Sequence, residues 1–150
     1  MQAIISDTSC LILLDKIGVI FLLQKFYGEV ITTKIVADEF GKQLPAWISI
    51  QNSSNANIQL ALEVTLDKGE ASTIALALEQ KDCLLIIDEL RGRRLAKQFG
   101  LNITETLGVL IQAKLNGYLP AIKPLLDKIK QTDFRLSEQL VKEALKQAGA

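Results

Sequence analysis

Asp7, Glu39, Glu70 and Asp88 are the residues of this chain whose type and placement could do chemistry together. Asp7 ends the apolar run Ala3-Ile4-Ile5-Ser6, and Asp88 ends Cys83-Leu84-Leu85-Ile86-Ile87, so each lies just past what reads as a buried parallel strand. In open α/β sheets, ligands bind at that edge. Several carboxylates in one cleft repel and raise one another's pKa, a difficulty that a divalent cation removes. Magnesium and manganese prefer oxygen donors, and a water bound to such an ion loses a proton near neutral pH, as phosphodiester hydrolysis requires. Each acid also has a local explanation. Asp7 in Ser6-Asp7-Thr8-Ser9 and Asp88 before a basic helix can be N-caps, Glu39 a solvated charge near a helix end, and Glu70 a favourable first-turn charge. Only their joint placement favours a common site.

Composition narrows the remaining chemistry. The chain has no histidine, which removes imidazole bases, His-based triads and the usual zinc sites. Its two cysteines, Cys10 and Cys83, fall inside apolar segments and read as reduced core residues. Seventeen basic residues balance seventeen acidic ones, so attraction to nucleic acid must come from local clustering. Arg91, Arg93, Arg94 and Lys97 form such a cluster directly after Asp88-Glu89. They can be a solvated helix face or a holder of backbone phosphates, since Arg meets phosphate oxygens bidentately. The hydroxyls of Thr8, Ser9 and Thr106 can bond a phosphate or a metal-bound water, or simply cap helices.

The elements that must position these groups alternate between strand and helix. Strands are expected at Ala3–Ser6, Glu29–Ile31, Cys83–Ile87 and Asn102–Thr104, with a short apolar segment at Pro45–Ile50. Helices are expected at 10–17 and 19–26, parted by Gly18, and at 34–40 with a threonine cap and a stop at Gly41. Others are expected at 70–80, 90–99, 107–115, 122–130 and 137–147, with 51–57 a polar surface loop. This pattern predicts an α/β fold: a central parallel sheet of about four to five short strands with helices on both faces. With 150 residues, 49% of them hydrophobic and 23% charged, the chain fits a single domain, 1–150. The start lacks basic residues, and its apolar stretch is broken by Asp7 and Asp15, so neither a signal peptide nor a membrane span is expected. The expected location is the cytoplasm, with no membrane partner.

The ordered set of motifs resembles a PIN domain. It comprises Ile4-Ile5-Ser6-Asp7-Thr8-Ser9, Ile35-Val36-Ala37-Asp38-Glu39-Phe40, Gly69-Glu70-Ala71-Ser72-Thr73-Ile74-Ala75-Leu76-Ala77 and Leu85-Ile86-Ile87-Asp88-Glu89-Leu90-Arg91-Gly92-Arg93-Arg94-Leu95-Ala96. Thr106-Leu107-Gly108-Val109-Leu110, with Ala113-Lys114 and Gly117, resembles the last third of a prokaryotic PIN subgroup. The resemblance implies a ribonuclease that cuts RNA with metal-activated water, dependent on Mg2+ or Mn2+, and often the toxin of a toxin/antitoxin pair. Asp7, Glu39, Glu70 and Asp88 match the family's acidic positions as catalytic and metal residues, and Glu89 stands as an auxiliary metal ligand. Arg91, Arg93, Arg94, Thr8 and Ser9 are the expected RNA contacts. The implied partners are RNA, a small antitoxin protein and a second copy of the chain. Two positions depart from the pattern: Ile87 stands where many members carry a small polar residue, and Glu105 where the subgroup more often has glycine.

Other readings compete with this one. A non-catalytic module could hold RNA or a protein on the same fold, although a phosphate binder gains nothing from four concentrated acids. A phosphoaspartate protein would modify Asp7, but Ser9 stands where the phosphatase pattern needs a second aspartate. The aliphatic stretch Leu11 to Phe26 could be a docking surface for an antitoxin or another copy, with core packing as the alternative.

Overall fold

Ile5 and Leu85, the centres of the first and fourth strands, are wholly buried and lie side by side in the middle of the sheet. The computed structural model describes residues 2–149. Its strands are β1 (Ala3–Ser6), β2 (Val30–Thr32), β3 (Ile48–Ile50), β4 (Cys83–Ile86) and β5 (Asn102–Thr104). They form one parallel sheet in the order β3-β2-β1-β4-β5. The chain winds from β1 outward to β3, then crosses back to β4 and out to β5. The winding therefore reverses between β1 and β4, where connections diverge and leave a crevice at the strand ends. Asp7 and Asp88 follow those two strands.

Among the described residues the helices are α1 (Thr8–Lys16), α2 (Phe21–Tyr27), α3 (Lys34–Phe40), α4 (Ala56–Leu62), α5 (Lys68–Leu78), α6 (Leu90–Gln98), α7 (Thr106–Leu115), α8 (Lys123–Lys130) and α9 (Glu138–Gln147). They cover both faces. Alternation along the strands sends Ile4 and Ile86 into one core with Leu11, Leu14, Leu110 and Ile129, and Ile5 and Leu85 into a second with Ile74, Ala75 and Ala96. Fully burying each such Leu or Ile contributes about 1.5–3 kcal/mol relative to leaving it in water. The stretch from Leu11 to Phe26 is mainly core, with Leu11, Leu14, Leu22 and Leu23 at 0% exposure and Phe21 at 42%. Both cysteines are free and buried.

Most boundaries fall within two residues of expectation. Thr33 caps α3 by accepting the Val36 N–H, and Gly41 ends it with φ +81°. One helix differs outright. The polar segment 51–57 is not all loop: Asn55 caps α4 by accepting the N–H groups of Asn57 and Ile58. The Ser53 hydroxyl and the Ser54 hydroxyl and N–H all donate to Glu79 Oε1, tying the remaining loop to the end of α5.

A relay of hydroxyls sets α3 against α5, which carry Glu39 and Glu70. The Ser72 hydroxyl donates to the Gly69 carbonyl at 2.7 Å, so its own oxygen is free to accept from Thr33 Oγ1, also 2.7 Å away. Thr33 Oγ1 in turn accepts from the Val36 N–H. Every donor is used once, and Thr33 and Ser72 are buried. Replacing Ser72 with Ala leaves the Thr33 hydroxyl without its acceptor, and thermal or urea unfolding should show a loss of about 1–3 kcal/mol. Unchanged stability would mean that the relay does not hold the two helices.

Candidate functional site

Asp7 is buried at 2% exposure, and both of its oxygens are engaged. Oδ1 accepts the Cys10 N–H at 2.9 Å and so caps α1; Oδ2 accepts the Asp88 N–H at 3.0 Å. Asp7 is therefore the N-cap of α1, and the same side chain also holds the chain where it leaves β4. Asp88 does not cap α6, a task taken by Glu89, whose Oε2 accepts the Gly92 N–H at 3.0 Å. Instead Asp88 reaches the start of α7, accepting the Thr106 N–H at 2.8 Å and the Thr106 hydroxyl at 2.6 Å. That hydroxyl supplies a polar contact beside Asp88, whereas Ile87 is fully buried in the second core.

Glu39, from the last turn of α3, accepts a 2.5 Å hydrogen bond from Thr8 Oγ1. It can approach because Gly69 has no side chain: a Cβ there would stand 2.2 Å from Glu39 Oε1. Gly92 plays the same part for Glu70, since its Cβ would lie 3.0 Å from Glu70 Oε2 and 2.7 Å from Ile87 Cδ1. Glu70 Oε2 is buried with no hydrogen-bond partner. Asp7, Glu39, Glu70 and Glu89 then line one cleft of about 370 Å³, together with Asp67, Thr8 and Ser9. The Asp88 carboxylate is instead held by Thr106, next to Asp7. Asp67, which the sequence reading did not single out, caps α5 by accepting the Glu70 N–H at 2.8 Å. The signal was there: Asp67 and Glu70 have the three-residue spacing of a helix start.

Crowded acids in a half-dry cleft resist ionisation. Burial, then the Asp88 charge, holds the Asp7 carboxyl well above the usual range, outweighing its two N–H donors. Asp88 is raised chiefly by burial, against the lowering effect of Thr106. Burial, followed by hydrogen bonding with Asp67 and the Asp67 and Glu89 charges, pushes Glu70 up to about 8.

The arginines divide. Arg91 Nη1 donates to the Thr65 carbonyl at 3.1 Å, and Arg91 and Arg94 line a groove that meets the acidic cleft at Glu89. Arg93 turns away to pair with Glu105 at 2.9 Å. Of the hydroxyl candidates, Thr8 and Thr106 bond Glu39 and Asp88, while Ser9 is exposed on the cleft wall.

A family model described as a PIN domain matches residues 3–150. The chain belongs to the PIN-domain family, whose fold is of nuclease type, whose members are generally nucleases, and which typically uses divalent metals. Neither a curated protein nor a solved structure matches it. Among the described residues, no helix is long and apolar enough to cross a membrane.

The donors suit a hard divalent cation. They are all carboxylate and hydroxyl oxygens, one buried carboxylate oxygen lacks any partner, and two glycines leave room for the acids to lean inward. Among the described residues, no three acidic or thiol side chains form a closed ligand set as they stand.

Because the Glu70 pKa is raised from 4.5 to about 8 on folding, the folded state binds its proton more tightly than the unfolded chain does. That contribution is complete below about 4.5 and is lost as pH rises through about 8. In chelator, the melting temperature should fall between pH 5.5 and 8.5, and Glu70→Gln should flatten the decline. A wild-type profile that is level or rising over that interval would contradict the assignment.

Proposed function

We propose that this chain is a divalent-metal-dependent endoribonuclease that hydrolyses RNA phosphodiester bonds, in the setting of a toxin restrained by a small antitoxin protein. The observation that carries the proposal is the convergence of Asp7, Glu39, Glu70 and Glu89 on one cleft at the sheet's reversal point. Four elements far apart in sequence would not bring uncompensated acids together for stability. The same cleft gives a binding module nothing, since it repels phosphate. A phosphoaspartate role is disfavoured because Asp7 is only 2% exposed and both its oxygens accept backbone N–H groups.

Asp7, Glu39 and Glu70 would hold Mg2+ or Mn2+, with Glu89 at the rim. Such an ion neutralises the phosphate and lowers the pKa of water that it binds. The protein's own groups set the geometry. Thr8 orients Glu39, and the Cys10 and Asp88 N–H groups fix the plane of Asp7. Thr106 fixes Asp88, whose N–H and charge act on Asp7. Arg91 and Arg94, next to the cleft across Glu89, would hold backbone phosphates of the strand.

Purified protein should cleave single-stranded RNA in magnesium or manganese and be silent in chelator. Asp7→Asn and Asp88→Asn should each lower turnover by orders of magnitude while circular dichroism stays native; wild-type rates in both, or cleavage undiminished in chelator, would refute the assignment. Arg91→Gln with Arg94→Gln should weaken binding to all sequences alike and reduce the log-log salt slope by about 0.7 for each lost contact. Arg93→Gln, which unpairs Glu105, should leave the slope unchanged and cost little stability; an equal slope change there would place Arg93 on the strand as well.

A further inference from the structure

The acidic cleft opens on both faces of the sheet's edge. Toward α6 it shares Glu89 with the Arg91–Arg94 groove. On the α1 side it shares Thr8, Ser9 and Ile12 with a second groove of about 260 Å³, whose far wall is Thr132, Asp133 and Phe134 between α8 and α9. Through Lys16 and Thr132 this groove continues into a basin lined by Lys128 and Gln131. We propose that it is a subsite for single-stranded RNA, in which Lys16 and Lys128 hold backbone phosphates and the Phe134 ring receives a base. The inference rests on the nuclease reading, because it extends that reading's strand beyond the acidic cleft.

Charge complementarity chooses the occupant. Lys16 and Lys128 are exposed and in no ion pair among the described residues. The acids adjacent to them in sequence are already answered: Asp15 pairs with Lys42 at 2.5 Å and Asp127 with Lys123 at 3.4 Å. Cations in the last turns of α1 and α8 suit the helix dipoles, but that does not explain why both open on one continuous groove. Asp133 lines the groove as well and would turn phosphates toward the lysines.

Phe134 is a fixed platform. It packs against the first core while part of the residue lines the groove. Thr132 Oγ1 donates to the Ile129 carbonyl at 2.7 Å and accepts the Phe134 N–H at 3.1 Å, which sets the turn before any ligand arrives. An aromatic already held in place loses little freedom when a base stacks on it. Bases in a duplex are stacked already, so this feature selects single strands.

The test is fluorescence anisotropy with a fluorescein-labelled twelve-nucleotide oligouridylate, in calcium in place of magnesium, with strand integrity checked on a gel. Lys16→Gln combined with Lys128→Gln should weaken binding and lower the log-log salt slope by about 1.4, for two single-strand contacts. Phe134→Leu, which keeps an apolar side chain against the core, should weaken single-strand binding about tenfold and leave a twelve-base-pair RNA duplex unaffected. Wild-type affinity and slope in the lysine variant would overturn the subsite and leave the nuclease reading standing. Equal losses on duplex and single strand would remove Phe134 from it. A polyglutamate peptide that competes as well as the oligouridylate, with Phe134→Leu indifferent, would assign the lysines to an acidic protein and overturn the proposal. If the wild type binds no oligouridylate yet cleaves RNA in manganese, the subsite alone falls; if it does neither, both readings fall.

Discussion

The Asp7 carboxylate joins the two halves of this fold. One oxygen accepts the Cys10 N–H and starts α1; the other accepts the Asp88 N–H and fixes the chain where it leaves β4. The Asp7 N–H itself donates to the Ile86 carbonyl at 3.0 Å, extending the β1–β4 ladder by one more bond. Three hydrogen bonds therefore cross or flank the point where the winding reverses. The acid at position 7 therefore serves the fold through both of its oxygens. Asn offers one acceptor oxygen where two donors point, so it removes the charge but leaves one N–H unanswered.

That joint is built from groups that resist each other. Asp7 and Asp88 are adjacent and both have raised pKa values, and Glu70 is raised among Asp67 and Glu89. The fold sustains this by close neutral support: Thr106 on Asp88, Thr8 on Glu39, and the Thr33–Ser72 relay beneath the two helices. Gly69 and Gly92 contribute by absence, each leaving the volume into which a glutamate leans. Hydroxyls and glycines are the economical choice here, because either adds polar contact or space without adding charge.

Much of this was legible because the strongest signals are local. Apolar runs of four or five residues ending in aspartate located β1 and β4, and Thr33 and Gly41 bounded α3. Where sequence and structure differ, a polar cap stands in a segment whose composition reads as loop. Asn55 begins α4 inside a stretch with no apolar period, and Asp67 begins α5 two residues before the glycine that had marked its start. With that start misplaced, Asp67 was invisible as a wall of the cleft. The fates of the three arginines depend on which side of α6 faces Thr65 and which faces Glu105, and sequence proximity cannot report that. The Lys16–Lys128–Phe134 groove joins residues more than a hundred positions apart and has no local signature at all.

Glu105 shows how one more acid beside the site can be absorbed. It stands immediately before Thr106, and its charge raises the Asp88 pKa. Added alone, a further acid there would strain a site already short of positive charge. Arg93 folds onto it at 2.9 Å from the inner side of α6, and its guanidinium charge acts on Asp88 in the opposite, lowering direction. The pair is part-exposed, so its net worth to stability is small. Its effect is instead on balance: the two charges act on Asp88 in opposite directions. Glu105 is thus half of an ion pair beside the cleft, and Arg93, unlike Arg91 and Arg94, is paired with an acid among the described residues.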